Sequence, residues 1–213
     1  AVIQVAHKMG ITTPIKPFAS IALGSADISV FEMVGAYGTF ANKGIWTEPM
    51  YITRIEDKNG VVLQEFVPRK VEAINEETAY LMLNLMEGVT KFGTGERLRG
   101  GAYHFSNPIA GKTGTTQNNS DGWFMGITPE LVAGCWVGCE DRSIHFRSTG
   151  LGQGANTALP IWGLFMRKVF DDAKLNYSQG EFPKPQKPLN VELDCSKYNM
   201  PVVPGTTNNF DIN

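Results

Sequence analysis

The chain is poor in the residues that announce a metal site or a disulfide framework. It has three cysteines and three histidines in 213 residues. If "LVAGCWVGCE" is a strand, Cys135 and Cys139 share a face but stand about 13 Å apart at strand rise. That is too far for a mutual bridge. Three cysteines also leave at least one thiol over, counting Cys195. Small buried strand residues are the simpler reading, so cysteine usage does not report a redox compartment. His7, His104 and His145 are scattered without ligand spacing. No metal, nucleotide or organic cofactor is expected. No charge of one sign dominates either: the net charge is −2, which gives nucleic acid and anionic membranes no purchase. No apolar run approaches the ~20 residues of a membrane span, so this segment is expected to make no membrane contact. The opening "AVIQVAHKMGI" lacks a basic start, a long apolar centre and a cleavage site. Ala1 already belongs to a helical pattern, so the chain is expected to be cut from a longer protein. No internal repeat is visible.

What is present is ordinary globular material, 42% hydrophobic and 19% charged, able to bury a core. Residues 1–10 read as a helix stopped by Gly10. A Pro-rich connection leads to "SADISVFEMVGAYGTFANKG". Ser29 and Glu32 there form a capping-box pattern, and Val30, Met33, Val34, Tyr37 and Ala41 keep one apolar face up to Gly44. Asp57-Lys58-Asn59-Gly60 sits between two β-rich runs and predicts an exposed β-ribbon near 50–66. "NEETAYLMLNLMEGVTKFGTG" predicts a second helix, with Glu76 and Glu77 in its first turn. Leu81, Leu85 and the methionines make it apolar on more than one side, which predicts burial. Three short β-rich runs follow: "PIAGKTGTT", "GWFMGITP" and "LVAGCWVG". Their links are turn chemistry. Links that short require antiparallel neighbours. A Gly-rich 148–156 stretch, read as a flexible loop, precedes a last amphipathic helix, "ALPIWGLFMRKVF". From Gly180 onward no periodicity appears, so 180–213 is expected to be an irregular tail.

"IAGKTGTTQNNSDGWFMG" poses the functional question. Gly111-Lys112-Thr113 is the end of a phosphate-binding loop, Gly-x-x-x-x-Gly-Lys-Thr, which must open a helix. The first glycine of that pattern falls on Ser106. "GTTQNNSDGW" is β-branched residues and turn formers, not a helix start. The surrounding sheet reads antiparallel, whereas nucleotide-binding βα folds are parallel. The phosphate loop is rejected on all three counts. Lone lysines usually decorate a surface. Here lysine, glycine and three threonines cluster at the head of a meander, which suits a strand that a ligand backbone approaches closely.

"GKTGTT…DGWFMGITPELVAGCWVG" resembles the Lys-Thr-Gly strand and the two strands after it in class A penicillin-binding proteins. "GSADISVFEMVGAYGTFANKG", "FGTGERL" and "GANTALPIWGLFM" resemble further stretches of that family, in consistent order over roughly residues 1–170. The resemblance implies an α/β fold in which an antiparallel β-sheet packs against helices, the penicillin-binding transpeptidase or serine β-lactamase-like fold. Residues 1–179 would be its later part, incomplete at the N-terminus. The family uses Ser-x-x-Lys, Ser-x-Asn and Lys-Thr-Gly motifs. After no serine of this chain does a lysine stand three places on or an asparagine two places on. The first two motifs are expected upstream.

The implied activity is that of a peptidoglycan D,D-transpeptidase acting by serine acyl transfer. Its partners would be D-Ala-D-Ala stem peptides and β-lactams. A glycosyltransferase domain and a membrane anchor would lie upstream, on the periplasmic face of a bacterial inner membrane. By resemblance, Lys112 supplies fixed positive charge and helps proton movement. The hydroxyls of Thr113 and Thr115 donate to the substrate carboxylate. The backbone N–H of Thr115 is an oxyanion donor, and Gly114 leaves the strand edge unblocked. Thr116 faces the leaving side or packs. Asp121 reads as turn chemistry and Trp123 as core or rim packing. A β-lactamase-like hydrolase and a non-catalytic sensor or scaffold are the competing expectations.

Overall fold

The computed structural model describes residues 1–194 and Lys197; Cys195 lies outside the described residues. Helix α1 (Val2–Lys8) ends two residues before Gly10. Gly10 takes φ +89°, and a Cβ there would stand 2.2 Å from the Trp46 indole nitrogen. Helix α2 (Val30–Ala41) carries the expected capping box at Ser29 and Glu32. Strand β1 (Ile45–Thr47) pairs antiparallel with β4 (Lys70–Glu72). Between them β2 (Arg54–Glu56) and β3 (Val62–Glu65) form the predicted exposed ribbon. Its turn is held by Asp57, whose Oδ1 accepts from Asn59 N at 2.8 Å and Val61 N at 2.9 Å.

Helix α3 (Glu76–Phe92) starts on Asn75, whose side chain accepts from Thr78 N at 2.7 Å. The expectation of burial on more than one side needs correcting. Ala79, Leu83, Met86, Glu87 and Thr90 form one buried stripe, while Leu85 is 67% and Phe92 86% exposed. A helix lying on one sheet face buries only the stripe that meets it.

Strands β5 (Ala110–Thr115), β6 (Asp121–Ile127) and β7 (Val132–Gly138) form an antiparallel sheet in chain order, as their short links require. Helices α2 and α3 cover one face. Helix α5 (Ala158–Asp171) covers the other, through a core of Phe105, Ile109, Phe124, Leu159, Trp162 and Met166. Gly126 admits the Trp162 ring, which a Cβ would approach to 2.4 Å, and the indole N–H donates to Ala133 O at 3.1 Å. Cys135 is half-buried against this core, and burial pushes its thiol pKa up. Cys139 falls just past the end of β7. Neither is in a disulfide.

The Gly-rich stretch is not the plain loop expected. It contains a helical turn, α4 (Thr149–Gly152). The early part of the tail is irregular, but it docks. Phe182 is buried with Leu83, Met86, Ala110 and Ile127. Gln186 N donates to Glu76 at 3.2 Å and Asn190 N to Glu77 at 2.9 Å. Among the described residues no helix is long and apolar enough to cross a membrane.

Candidate functional site

The start of β5 is fixed by one arginine. Arg99 Nη1 donates to Asn107 O at 2.5 Å and Phe105 O at 3.2 Å, and Nε donates to Thr90 O at 3.3 Å. Nη2 donates to Thr90 Oγ1 at 3.0 Å, and that hydroxyl donates to Ile109 O at 2.5 Å. The loop before β5 is therefore bolted to the end of α3. Burial pulls the Arg99 pKa below its ordinary value, with Glu87 opposing it.

The hydrogen-bond parity of β5 follows from its far end. Thr116 N donates to Asp121 O at 3.1 Å, one step beyond the Thr115–Gly122 pair. Antiparallel ladders alternate. Lys112 and Gly114 therefore turn their N–H and C=O groups toward β6. Gly111, Thr113 and Thr115 turn theirs to the outer edge, where no strand is paired among the described residues. The Thr115 N–H consequently points out of the sheet edge.

Side chains follow the pleat. Ala110 packs toward α3, so Lys112 and Gly114 share that face. Thr113 and Thr115 lie on the α5 face, opposite Phe124 and Gly122. Lysine and hydroxyls thus flank the edge from opposite sides. Lys112 is exposed, and its Nζ donates to Thr113 O at 2.7 Å rather than to a carboxylate. This also places Thr113 O off the ladder. Gly114 faces Trp123, whose Cβ would lie 3.0 Å from a side chain there.

Both threonines are already engaged. Thr113 Oγ1 shares a hydrogen bond of 2.7 Å with Thr94 Oγ1. Thr115 Oγ1 accepts from Gly154 N at 3.1 Å. A Cβ on Gly154 would meet Trp123 O at 2.3 Å and Gly114 O at 2.4 Å, so only glycine reaches this depth. Arg97 Nη1 donates to Ala155 O at 2.8 Å and Asn156 Oδ1 at 2.7 Å, tying the loop after α3 to the loop before α5. Thr94, Arg97 and Gly154 are the residues that sequence reasoning missed. Their local signal is slight: Thr94 stands between two glycines, and Gly154 lies in the Gly-rich 148–156 stretch.

Thr116, read as a substrate contact on the leaving side or as packing, has its hydroxyl engaged in the protein itself. Its Oγ1 bonds Ser120 Oγ at 2.9 Å and Asp121 Oδ2 at 3.0 Å and accepts from Asp121 N at 3.0 Å. Its hydroxyl belongs to the β5–β6 turn. Asp121 takes part in that turn, the role read for it from the sequence, and is buried there. Burial works to raise its pKa. The donors Trp136, Thr116 and Ser120, with Arg142 nearby, outweigh it and hold the carboxylate below its ordinary value. Trp123 is half-buried. His7 and His145 engage the backbone carbonyls of Ile11 and Phe146. Among the described residues no group of three His, Cys, Asp or Glu is placed to hold a metal ion.

The family described as the penicillin binding protein transpeptidase domain matches residues 11–134. Penicillin-binding protein 1A of Aquifex aeolicus is 36% identical over 194 residues, covering 91% of this chain and 25% of that protein. Penicillin-binding protein 1A of Clostridium novyi is 32% identical over 179 residues, covering 83% of this chain and 19% of that protein. The chain therefore spans a quarter or less of these relatives. The solved PonA1 protein of Mycobacterium tuberculosis, in complex with penicillin V, superposes with a TM-score of 0.70 at 26% identity, over 87% of this chain and 52% of that one.

Proposed function

Because this chain belongs to the penicillin-binding protein transpeptidase domain family, we propose that it forms one wall of the acyl-transfer cleft of a peptidoglycan D,D-transpeptidase. The observation that carries the reading is the outward Thr115 N–H, flanked by the Lys112 ammonium on one side and the Thr113 and Thr115 hydroxyls on the other. An acyl donor laid along this edge finds a donor for its carbonyl oxygen and a cation with hydroxyls for its carboxylate. The nucleophile comes from outside the chain, which has no Ser-x-x-Lys or Ser-x-Asn.

In this reading a serine oxygen attacks the carbonyl of the D-Ala-D-Ala peptide bond. The Thr115 N–H stabilises the oxyanion; losing such a donor costs about 10²–10³ in rate. The C–N bond breaks, and the leaving D-Ala amine takes a proton. The amine of a second stem peptide then attacks the acyl ester, forming the cross-link and freeing the serine. Lys112 favours the carboxylate and assists proton movement toward the upstream Ser-x-Asn hydroxyl. β-Lactams occupy the donor position and remain as the acyl ester. The longer protein would also carry a glycosyltransferase domain and a membrane anchor, with this domain outside the cytoplasm.

Labelled penicillin and intact-mass spectrometry test the proposal. The 213-residue chain is expected to gain no adduct, and the longer protein one stable adduct on its serine. A longer protein that gains none would refute the transpeptidase reading. Rapid loss of the adduct would assign a hydrolase instead. Lys112→Ala should greatly slow adduct formation.

A further inference from the structure

We propose that Thr94 is a positioning residue, whose hydroxyl orients Thr113 to donate to the carboxylate of the acyl donor. The inference rests on the transpeptidase reading of this edge and adds a residue to it. A threonine hydroxyl has one proton and two lone pairs. At Thr115 the matter is settled by chemistry: Gly154 N can only donate, so the Thr115 proton is left for a ligand. At Thr113 a single proton lies in the 2.7 Å bond to Thr94, and either hydroxyl can supply it. While that bond is kept, an anion at the edge accepts from Thr113 only when Thr94 is the donor. The two hydroxyls then form a relay in which each bond polarises the next.

The surroundings hold Thr94 in place for this. Gly95 N and Gly93 N both donate to Val89 O, at 3.0 and 3.2 Å, folding the loop against the end of α3. Gly93 is tightly placed, since a Cβ there would lie 3.0 Å from Val89 O. Arg97 clamps the same loop to residues 155 and 156, beside the Gly154 N–H that serves Thr115. The donors behind Thr113 and Thr115 thus belong to one clamped frame, although they come from opposite sides of β5 in sequence.

The test uses the longer protein with benzylpenicillin and benzylpenicillin methyl ester, read as second-order acylation rates. Only the acid offers a carboxylate. Thr94→Val should slow the acid about tenfold while barely moving the ester, collapsing the acid-to-ester ratio. Thr94→Ser should restore the ratio. Thr113→Val should collapse it too, and the double variant should add little to Thr113→Val alone. Equal slowing of acid and ester by Thr94→Val would overturn the proposal in favour of a purely structural role. An unchanged ratio, or no rescue by serine, would also overturn it. An unsubstituted protein that neither probe acylates would overturn the transpeptidase reading itself, and this inference with it.

Discussion

The indole N–H of Trp136 on β7 donates to the buried carboxylate of Asp121 on β6 at 2.9 Å. The same carboxylate accepts from Thr116 and Ser120, so it pins the turn that ends β5. Its pKa is held below the ordinary value of 3.8 despite burial. A carboxylate with a lowered folded pKa adds stability above its unfolded pKa and loses it as pH falls through the folded one. Asp121→Asn is expected to cost about 2–3 kcal/mol at pH 7 and less at pH 3. Urea midpoints at the two pH values check this; an equal loss at both would contradict it.

Glu32 makes the same kind of prediction at the other end of the chain. It accepts from the backbone and hydroxyl of Thr12 and of Thr13 at 2.7–2.8 Å, and from Ser29 Oγ at 3.0 Å. Burial works to raise its pKa, but these donors hold it far below its ordinary value of 4.5. Its contribution is complete above that value and fades as pH falls below it. Glu32→Gln turns an amide donor on a ring of donors, and should cost about 1–3 kcal/mol at neutral pH. It should also flatten the acid limb of the stability curve. A variant with an unchanged acid limb would contradict the assignment.

Arg99 should be the most costly surface-proximal cation to remove. Arg99→Met strands the carbonyls of Thr90, Phe105 and Asn107 and is expected to cost about 2–4 kcal/mol. Arg99→Lys should recover only part, because an ammonium lacks the planar fork. Denaturant unfolding of the two variants gives the comparison. Full recovery by lysine would contradict the geometric role.

Two neighbouring glycines should respond differently. Gly154→Ala drives a methyl into the backbone oxygens of Trp123 and Gly114, whereas Gly150→Ala meets only Ser148 Oγ, at 3.9 Å. The first should lower stability by about 1–3 kcal/mol and slow penicillin acylation of the longer protein by detaching Gly154 N from Thr115. The second should leave both within about 0.5 kcal/mol of the parent or its rate equivalent. Indistinguishable variants would contradict the close approach.

The fold was legible where chemistry is local. Ser29 and Glu32 announce a helix start because both capping partners lie within one turn. The short Asn118–Gly122 and Thr128–Glu130 links leave only antiparallel pairing for β5, β6 and β7. The Lys-Thr-Gly strand stood out by resemblance, a short motif made specific by the ordered family-like stretches around it. Its supporting frame was not legible. Thr94 is 19 residues from Thr113, and Gly154 is 39 from Thr115. No periodicity relates positions that far apart. Residue type left Thr116 open between the leaving side and packing. The two-residue pleat already separates it from Thr113 and Thr115, and Asp121 then claims its hydroxyl. The outer face of α3 misled because Leu85 and Phe92 are apolar yet exposed; composition does not say which stripe meets the sheet.

The central claim is that the outer edge of β5 receives the acyl group. A crystal structure of the longer protein acylated by benzylpenicillin tests it most directly. The account predicts the ester carbonyl oxygen about 2.7–3.1 Å from Thr115 N, with the carboxylate against the Thr113 and Thr115 hydroxyls. An ester carbonyl turned away from Thr115, with Lys112 and both hydroxyls still in their present bonds, would contradict it.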